Sequence, residues 1–167
     1  MTETELIAAC KKNDRIAQRT LYDKYKRAMY TLAYRLTGNF DDADDVLQDA
    51  FIDIFRNLQN FRGESTIGAW IKTIVIRKAY KKIKGPVMPE NIEDYQNVVI
   101  TLSHEKIDAE YLEKAILSLP DGYRTVFLML EIEGYTHKEV SEVLGITEGT
   151  SKSQLFYAKK RLREMLK

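Results

Sequence analysis

The sequence has few of the residues that mark secreted, metal-binding or membrane proteins. Cys10 is its one cysteine, which excludes an internal disulfide framework and fits a reducing compartment. The two histidines, His104 and His137, are too far apart to give a recognisable metal site. No apolar run approaches the ~20 residues that span a bilayer, and no secretory signal is visible at the N-terminus. We therefore expect a cytoplasmic chain with no metal, no cofactor and no membrane insertion.

Proline is also scarce, and two of the three prolines fall in the segment 85–103. This segment has no sustained apolar period and is rich in acids, which predicts an extended linker. Apolar residues recur at helical spacing on both sides of it. Three long helices are predicted before the linker: Arg15–Thr37, 41–58 and 67–83. The sequence thus predicts an all-α fold, with an N-terminal helical bundle (1–84) and a C-terminal helix-turn-helix domain (104–167).

Net charge is almost lacking, at +1 for the whole chain, yet the charges are segregated. The aspartates between Asp41 and Asp53 stand without any Lys or Arg, whereas the stretch 56–84 is basic apart from Glu64. The linker is acidic again, and the last predicted helix is basic. Basic helices suit DNA phosphates, and an acidic helix suits a basic protein partner. The simpler alternative is solvated faces, but four alternating blocks favour a protein that holds DNA within a larger assembly.

The stretch GYTHKEVSEVLGITEGTSKSQL, which begins at Gly134, is typical of a helix-turn-helix. Thr136 and Glu139 are spaced as a capping box. Gly145 supplies the left-handed residue of the turn, and Thr147 can cap the second helix. In such a motif the second helix enters the major groove. A generic helical hairpin is the alternative, but the two caps, the turn glycine and the basic outer face favour DNA binding.

The helical period predicts which side chains of the second helix are buried and which meet DNA. Ser151, Leu155, Ala158 and Leu162 fall on one face, which must be buried. The opposite face is predicted to carry Thr150, Ser153, Gln154, Tyr157 and Lys160, with Lys152, Lys159 and Arg163 on one flank. Glutamine and hydroxyl side chains can read bases, whereas the lysines are expected at phosphates.

Two separate stretches resemble one protein family. From Leu119 onward, the motifs LP, GY, LGI and GTSKS resemble the C-terminal, promoter-reading domain of bacterial extracytoplasmic-function (ECF) sigma factors. In the first half, DDADDVLQDAFIDIF is similar to the family's polymerase-docking helix, and FRGESTIGAWIKTIVIRKAYKKIK is similar to its promoter-melting segment. No middle domain of the larger housekeeping sigma factors fits between Lys84 and His104. The chain departs from the family at Ser151, where an aliphatic residue is common, and at Gln154, where a basic one is.

The resemblance implies a dissociable RNA polymerase sigma subunit that directs promoter recognition, DNA melting and transcription initiation. Its acidic helix would dock on the clamp coiled coil of the largest core subunit through Asp44, Asp45, Gln48 and Asp49. The minus-ten element would be held by Asn57, Asn60, Phe61, Arg62, Trp70, Arg77, Lys78 and Lys81. The minus-thirty-five element would be read by Thr150, Lys152, Ser153, Gln154, Tyr157, Lys159 and Lys160. An anti-sigma factor is the further partner that the resemblance implies.

Two aromatic residues could hold an unstacked base during melting, since stacking on aromatics is how single strands are bound. Trp70 is in phase with Ile67, Ile71 and Ile74, so a core position is its alternative. Phe61 lies in a polar stretch, and both interpretations stay open for it.

Two other classes of function would require features that the sequence does not clearly show. A stand-alone helix-turn-helix regulator would need a sensing pocket or dimer face in the first half, and neither is clearly marked. An enzyme would need paired carboxylates in a cleft, a phosphate-binding glycine loop or a nucleophile with its base, and none of these patterns appears. We therefore expect no enzymatic activity.

Overall fold

The computed structural model describes residues 1–84 and 109–166, and every regular element in these ranges is helical. The chain divides into two compact units, Met1–Lys82 and Ile83–Lys167. The all-α prediction is thereby confirmed. The predicted linker 85–103 and the predicted start of the second domain at His104 lie outside the described residues.

The first unit is a helical bundle. Its helices are α1 (Glu3–Lys11), α2 (Arg15–Thr37), α3 (Phe40–Asn57) and α4 (Ile67–Lys84), with a short 3-10 turn at Leu58–Asn60 after α3. The bounds of α2 are those predicted, because Asp14 caps its start and Gly38, at φ 72°, ends it in the left-handed conformation. Helix α1 was not predicted from the sequence, although Thr2 and Glu5 form a capping box at its start.

The core of the first unit is built from one stripe of each helix. Leu21, Ile54 and Ile71, from α2, α3 and α4 respectively, are fully buried. Ile16, the first apolar residue of α2, is outside this core and is 80% exposed. Five residues separate it from Leu21, so the two side chains point about 140° apart, and Ala17 is buried instead.

The described part of the second unit, residues 109–166, contains four α-helices. They are α5 (Ala109–Leu117), α6 (Asp121–Phe127), α7 (His137–Leu144) and α8 (Glu148–Met165), and a π-helical turn, Leu128–Ile132, extends α6. Among the described residues, no helix is both long enough and apolar enough to span a membrane.

A buried arginine joins α5 to α6. Arg124 is only 4% exposed. Its guanidinium donates to the backbone carbonyls of Leu117 and Leu119, at 3.0 and 2.9 Å, and to the carboxylate of Asp121 at 2.7 Å. Arginine suits this position because its planar fork carries several donors in a fixed geometry. The carbonyls at the end of α5 are thus satisfied, which fixes the start of α6.

The helix-turn-helix forms as the sequence predicts. Thr136 and Glu139 make the two hydrogen bonds of the capping box at the start of α7. Gly145 closes α7 at φ 70°, and the hydroxyl of Thr147 accepts from the backbone N–H of Thr150 at the start of α8. These caps and the glycine lie within or next to the turn. The sequence of the turn therefore determines where α7 ends and where α8 begins.

Candidate nucleic-acid interface

The acidic residues of α3 form one exposed surface. Because α3 buries Ala43, Val46, Leu47, Ala50 and Ile54, its other side faces solvent. That side carries Asp44, Asp45, Gln48 and Asp49, which we call the acidic face. All four residues predicted to bind polymerase are therefore exposed together.

An apolar side chain adjoins the acidic face. Ile52 lies one helical turn after Gln48 and is 49% exposed. An exposed isoleucine beside carboxylates gives the surface an apolar contact in addition to its charge. Ile52 was not predicted as part of this surface, although its spacing of four residues from Gln48 indicates it.

Basic residues of α4 pair with some of the aspartates of α3. The Nζ of Lys82 lies 3.2 Å from a carboxylate oxygen of Asp45 and 4.0 Å from one of Asp42. The hydrogen bond to Asp45 is the main reason that the pKa of Lys82 is raised. The Nζ of Lys78 lies 2.6 Å from an oxygen of Asp53. The two charge blocks are thus partly paired within the unit.

The pairing leaves exposed charge of both signs. Asp44 and Asp49 are exposed and make no salt bridge within the described residues, and Arg77 and Lys81 are exposed on α4. An acidic surface and a basic surface therefore both remain on the first unit.

An open cleft of about 450 Å³ lies between α3 and α4, and we call it the large cleft. Its walls are Asp53, Asn57, Asn60, Trp70, Ile74, Arg77, Lys78 and Lys81. Six of these eight residues were predicted for the minus-ten element. Asp53 and Ile74 were not, although each stands four residues from a predicted one, Asn57 and Trp70, and so shares its side of the helix.

A second cleft of about 350 Å³, the loop cleft, lies at the segment that joins α3 to α4. It is lined by Asn60, Phe61, Arg62, Glu64, Ser65 and Trp70. Asn60 and Trp70 line both clefts. All eight residues predicted for the minus-ten element thus line one cleft or the other.

The structure assigns different positions to the two aromatic residues of these clefts. Phe61 is 9% exposed, and its ring centroid lies 5.4 Å from that of Trp70 at an interplanar angle of 52°. Trp70 is only partly buried and forms a wall of both clefts. Phe61 therefore supports Trp70 from inside, and Trp70 is the better-exposed ring for stacking a base.

Helix α8 corrects three predictions. Ser151, Ala158 and Leu162 are buried as expected, but Leu155 is only half-buried. Ser153 (7% exposed) and Gln154 (3% exposed), which were expected to point outward, are buried as well. Gln154 is four residues from Ala158, which puts the two side chains only about 40° apart around the helix.

The surroundings of Gln154 explain its burial. The Gln154 amide lies against Gly122 of α6, where an added Cβ would come within 3.1 Å of its Oε1. The hydroxyl oxygen of Ser153 is buried without a hydrogen-bond partner among the described residues.

The outward face of α8 is instead centred on a phenylalanine. Phe156 is partly exposed and lies about 160° around the helix from Ala158, between the exposed residues Lys152, Lys160 and Arg163. Counting from the buried residues alone would have placed Phe156 here.

The remaining predicted contacts of α8 are half-buried and held by neighbours. The hydroxyl of Thr150 lies 2.9 Å from that of Thr147. The ring of Tyr157 stacks on Tyr123, with ring centroids 5.9 Å apart. Lys159 makes a 2.8 Å salt bridge with Glu131 of the π-helical turn. These three side chains therefore border the outward face rather than forming its centre.

A part-buried hydrogen bond joins the two helices of the motif. The Nδ1 of His137, at the start of α7, lies 2.8 Å from the Oγ of the fully buried Ser151. Burial is the largest cause that lowers the pKa of His137, and the charge of Lys152 adds to it. The hydroxyl that replaces the family's usual aliphatic residue thus has a polar partner.

Comparison with known proteins identifies the chain. The sigma-70 region 2 family model matches residues 21–85, and the sigma-70 region 4 model matches residues 109–162. Together the two matches cover more than half of the chain. The region 2 match falls on the unit that carries the acidic face and the two clefts. The region 4 match falls on the unit that contains the helix-turn-helix.

Similar proteins refine this class. The ECF RNA polymerase sigma factor SigM of Mycobacterium tuberculosis is 28% identical over 169 residues, covering 99% of this chain and 85% of SigM. SigW of Bacillus subtilis, also an ECF RNA polymerase sigma factor, is 29% identical over 177 residues, covering 96% of this chain and 95% of SigW. The sigma factor RpoE of Bartonella quintana, solved in complex with the anti-sigma factor NepR, has the same fold at a TM-score of 0.58, with 22% identity over 89% of this chain and 95% of RpoE.

The chain therefore belongs to the sigma-70 family, in its extracytoplasmic-function branch. It is a sigma subunit that directs promoter recognition and transcription initiation, as predicted. A stand-alone helix-turn-helix regulator is not favoured, because the region 2 match accounts for the first half.

Proposed function

We propose that the first unit joins core RNA polymerase to the minus-ten element through two adjoining surfaces. The acidic face docks on the clamp coiled coil of the largest core subunit, which is basic in the family. The large cleft and the loop cleft hold the opened non-template strand. The second unit then reads the minus-thirty-five element through α8, and the chain carries out no catalytic step itself.

One observation carries this proposal: an exposed acidic face and a cation-lined cleft share a single helical unit. Carboxylates repel DNA phosphates and attract a basic protein surface, whereas Arg77 and Lys81 do the opposite. Two surfaces of opposite sign suit a protein that must contact a basic partner and DNA at the same time.

The chemistry of the large cleft suits an unstacked nucleotide. Trp70 and Ile74 offer an apolar wall on which a base can stack. The amides of Asn57 and Asn60 can hydrogen-bond base edges, and the neighbouring cations can neutralise phosphates. Its volume of about 450 Å³ is within the range of small-molecule sites.

On α8 the burial pattern changes the proposed division of roles. Phe156 lies where an apolar contact with a thymine methyl group is possible, and Lys152 and Lys160 flank it for phosphates. Thr150, Tyr157 and Lys159 remain candidate contacts at the edge. Ser153 and Gln154 are assigned to holding α8 against the rest of the unit, not to reading bases.

We further propose that an anti-sigma factor controls the chain. Support comes from the Bartonella relative of the same fold, which was solved as such a complex. An anti-sigma factor that covered the acidic face would prevent docking on polymerase.

In vitro transcription with core polymerase and a randomised promoter library tests the proposal. We expect transcripts that require the chain and that share two sequence elements separated by a spacer. Transcription that does not depend on the chain, or selected promoters with only an upstream element, would contradict it.

A further inference from the structure

The end of α1 is fastened to the segment that lines the loop cleft. The Nζ of Lys11 donates to the backbone carbonyl of Phe61 at 3.0 Å. The side-chain amide of Gln59 donates in return to the backbone carbonyl of Lys11. Two reciprocal hydrogen bonds therefore join segments 48 and 50 residues apart in sequence.

The two hydrogen bonds hold the beginning of the segment that joins α3 to α4, at Gln59 and Phe61, and not the residues that follow. Leu58 and Phe61 are buried, at 1% and 9% exposure, whereas residues 62–66 are all exposed. The residues that would touch a captured base therefore extend from a backbone that is fixed at Phe61. The carbonyl that Lys11 holds belongs to the same residue whose ring supports Trp70.

We propose that Lys11 is a positioning residue for promoter melting, an inference that rests on the function proposed above. Its ammonium group holds the backbone of Phe61, so that the walls of the loop cleft are formed before DNA arrives. A hydrogen bond from a charged donor is stronger than a hydrogen bond from a neutral donor. A site ordered in advance also loses less conformational entropy when it captures a base.

The rest of α1 does not depend on this bond. Leu6 and Cys10 anchor the helix in the core, at 7% and 2% exposure. Lys24 of α2 also makes a 2.9 Å salt bridge with Glu3 near its start. Loss of the Lys11 side-chain bond therefore leaves α1 in place and frees only the base of the loop.

The test compares two promoter templates in the reconstituted holoenzyme. The first is a duplex promoter selected from a randomised library, and the second is the same promoter with a mismatched bubble across the minus-ten element. Lys11→Met should slow open-complex formation on the duplex about tenfold, and it should change the rate on the bubble template less than about twofold, because melting is already done. Lys11→Arg, which keeps a charged donor, should restore most of the rate.

Lys12→Met is the matched control, because Lys12 is the exposed neighbour and carries the same charge. Gln59→Ala, which removes the return bond, should lower the duplex rate in the same direction as Lys11→Met. The inference is overturned if Lys11→Met and Gln59→Ala open the duplex as fast as Lys12→Met. The inference is also overturned if Lys11→Met slows open-complex formation equally on the duplex and on the bubble template. That result would indicate a direct DNA contact or a damaged fold. A wild-type chain that fails to open the duplex with core polymerase would instead contradict the proposed function.

Discussion

Lys78 of α4 holds Asp53 of α3 at 2.6 Å, and both residues line the large cleft. The pair places one carboxylate among the cations that are proposed to meet DNA. Both side chains are 32% exposed, so the pair contributes less than about 1 kcal/mol to stability. We expect a larger effect on DNA binding, because the carboxylate both occupies Lys78 and repels phosphates.

Asp53→Asn is therefore expected to strengthen binding of the holoenzyme to a single-stranded minus-ten oligonucleotide by a few-fold. The slope of log affinity against log salt concentration should steepen by about the amount expected for one more phosphate contact, because Lys78 is released from Asp53. Fluorescence titration at several salt concentrations measures both quantities. Asp23→Asn on α2 is the control for the charge change. An equal gain in oligonucleotide affinity with Asp23→Asn would show that the effect is not specific to Asp53.

Docking on polymerase is predicted to depend on the acidic face. Asp44→Arg combined with Asp49→Arg should weaken core binding at least about 30-fold, because like charges across an interface cost several kcal/mol. The fold should be intact, since both residues are exposed. We chose Asp44 over Asp45 because Asp45 is paired with Lys82.

Equilibrium binding of labelled chain to core polymerase, with circular dichroism as the folding check, measures this effect. Glu142→Arg combined with Glu164→Arg, at exposed acids of α7 and α8, makes the same total charge change in the other unit. Unchanged core affinity of the double variant would show that the acidic face is not the docking surface.

The recognition helix gives a prediction that separates stability from base reading. Gln154→Ala should lower the free energy of unfolding by about 1–2 kcal/mol, because it removes a buried side chain that packs against Gly122 and leaves a cavity. Its promoter preference should stay unchanged. Phe156→Ala should leave stability nearly intact and relax discrimination at one upstream position by about 1–3 kcal/mol.

Urea unfolding and binding to single-base variants of the upstream element measure the two effects. If Gln154→Ala changed base preference without loss of stability, Gln154 would have to leave its buried position when DNA binds.

The His137–Ser151 hydrogen bond predicts how stability depends on pH. The folded pKa of His137 is lowered, so the unfolded chain binds the proton more readily than the folded one does. The contribution of His137 is therefore fully present above its ordinary pKa of about 6.5 and is lost as pH falls through the folded pKa. We expect the second unit to lose stability as the pH falls below about 7.5 and through the ordinary pKa of His137, about 6.5, toward its lower folded pKa.

Urea unfolding of the full chain across this range checks the pH effect, with His137→Gln as the comparison. The nearby charges of Lys152, Glu148, Glu131 and Lys159 are common to both chains. A His137→Gln variant with the same pH dependence would show that other groups cause it.

Local signals in the sequence were sufficient for much of the fold. The bounds of α2 follow from Asp14 and Gly38, and the turn of the helix-turn-helix follows from Thr136, Gly145 and Thr147. Caps and left-handed glycines act within a few residues, so the sequence contains them directly. Exposure of the acidic face was equally predictable, because it is the complement of a regular apolar stripe.

Features that depend on contacts between distant segments were not predictable in this way. The burial of Gln154 requires Gly122 of α6 to lie against it, and nothing near residue 154 indicates this contact. The pairing of Lys78 with Asp53 and the bond from Lys11 to Phe61 likewise depend on how helices pack. Helical period alone gives a direction for each side chain but not the neighbour that it meets.

The central claim is that this chain opens promoter DNA only when its acidic face is docked on polymerase. The most direct measurement places 2-aminopurine in the non-template strand of the minus-ten element of a selected duplex promoter and follows its fluorescence. We predict an increase with core polymerase plus the wild-type chain, and none with the chain alone, with core alone, or with core plus the Asp44→Arg, Asp49→Arg variant. An increase with the chain alone, or with that variant and core, would contradict the claim.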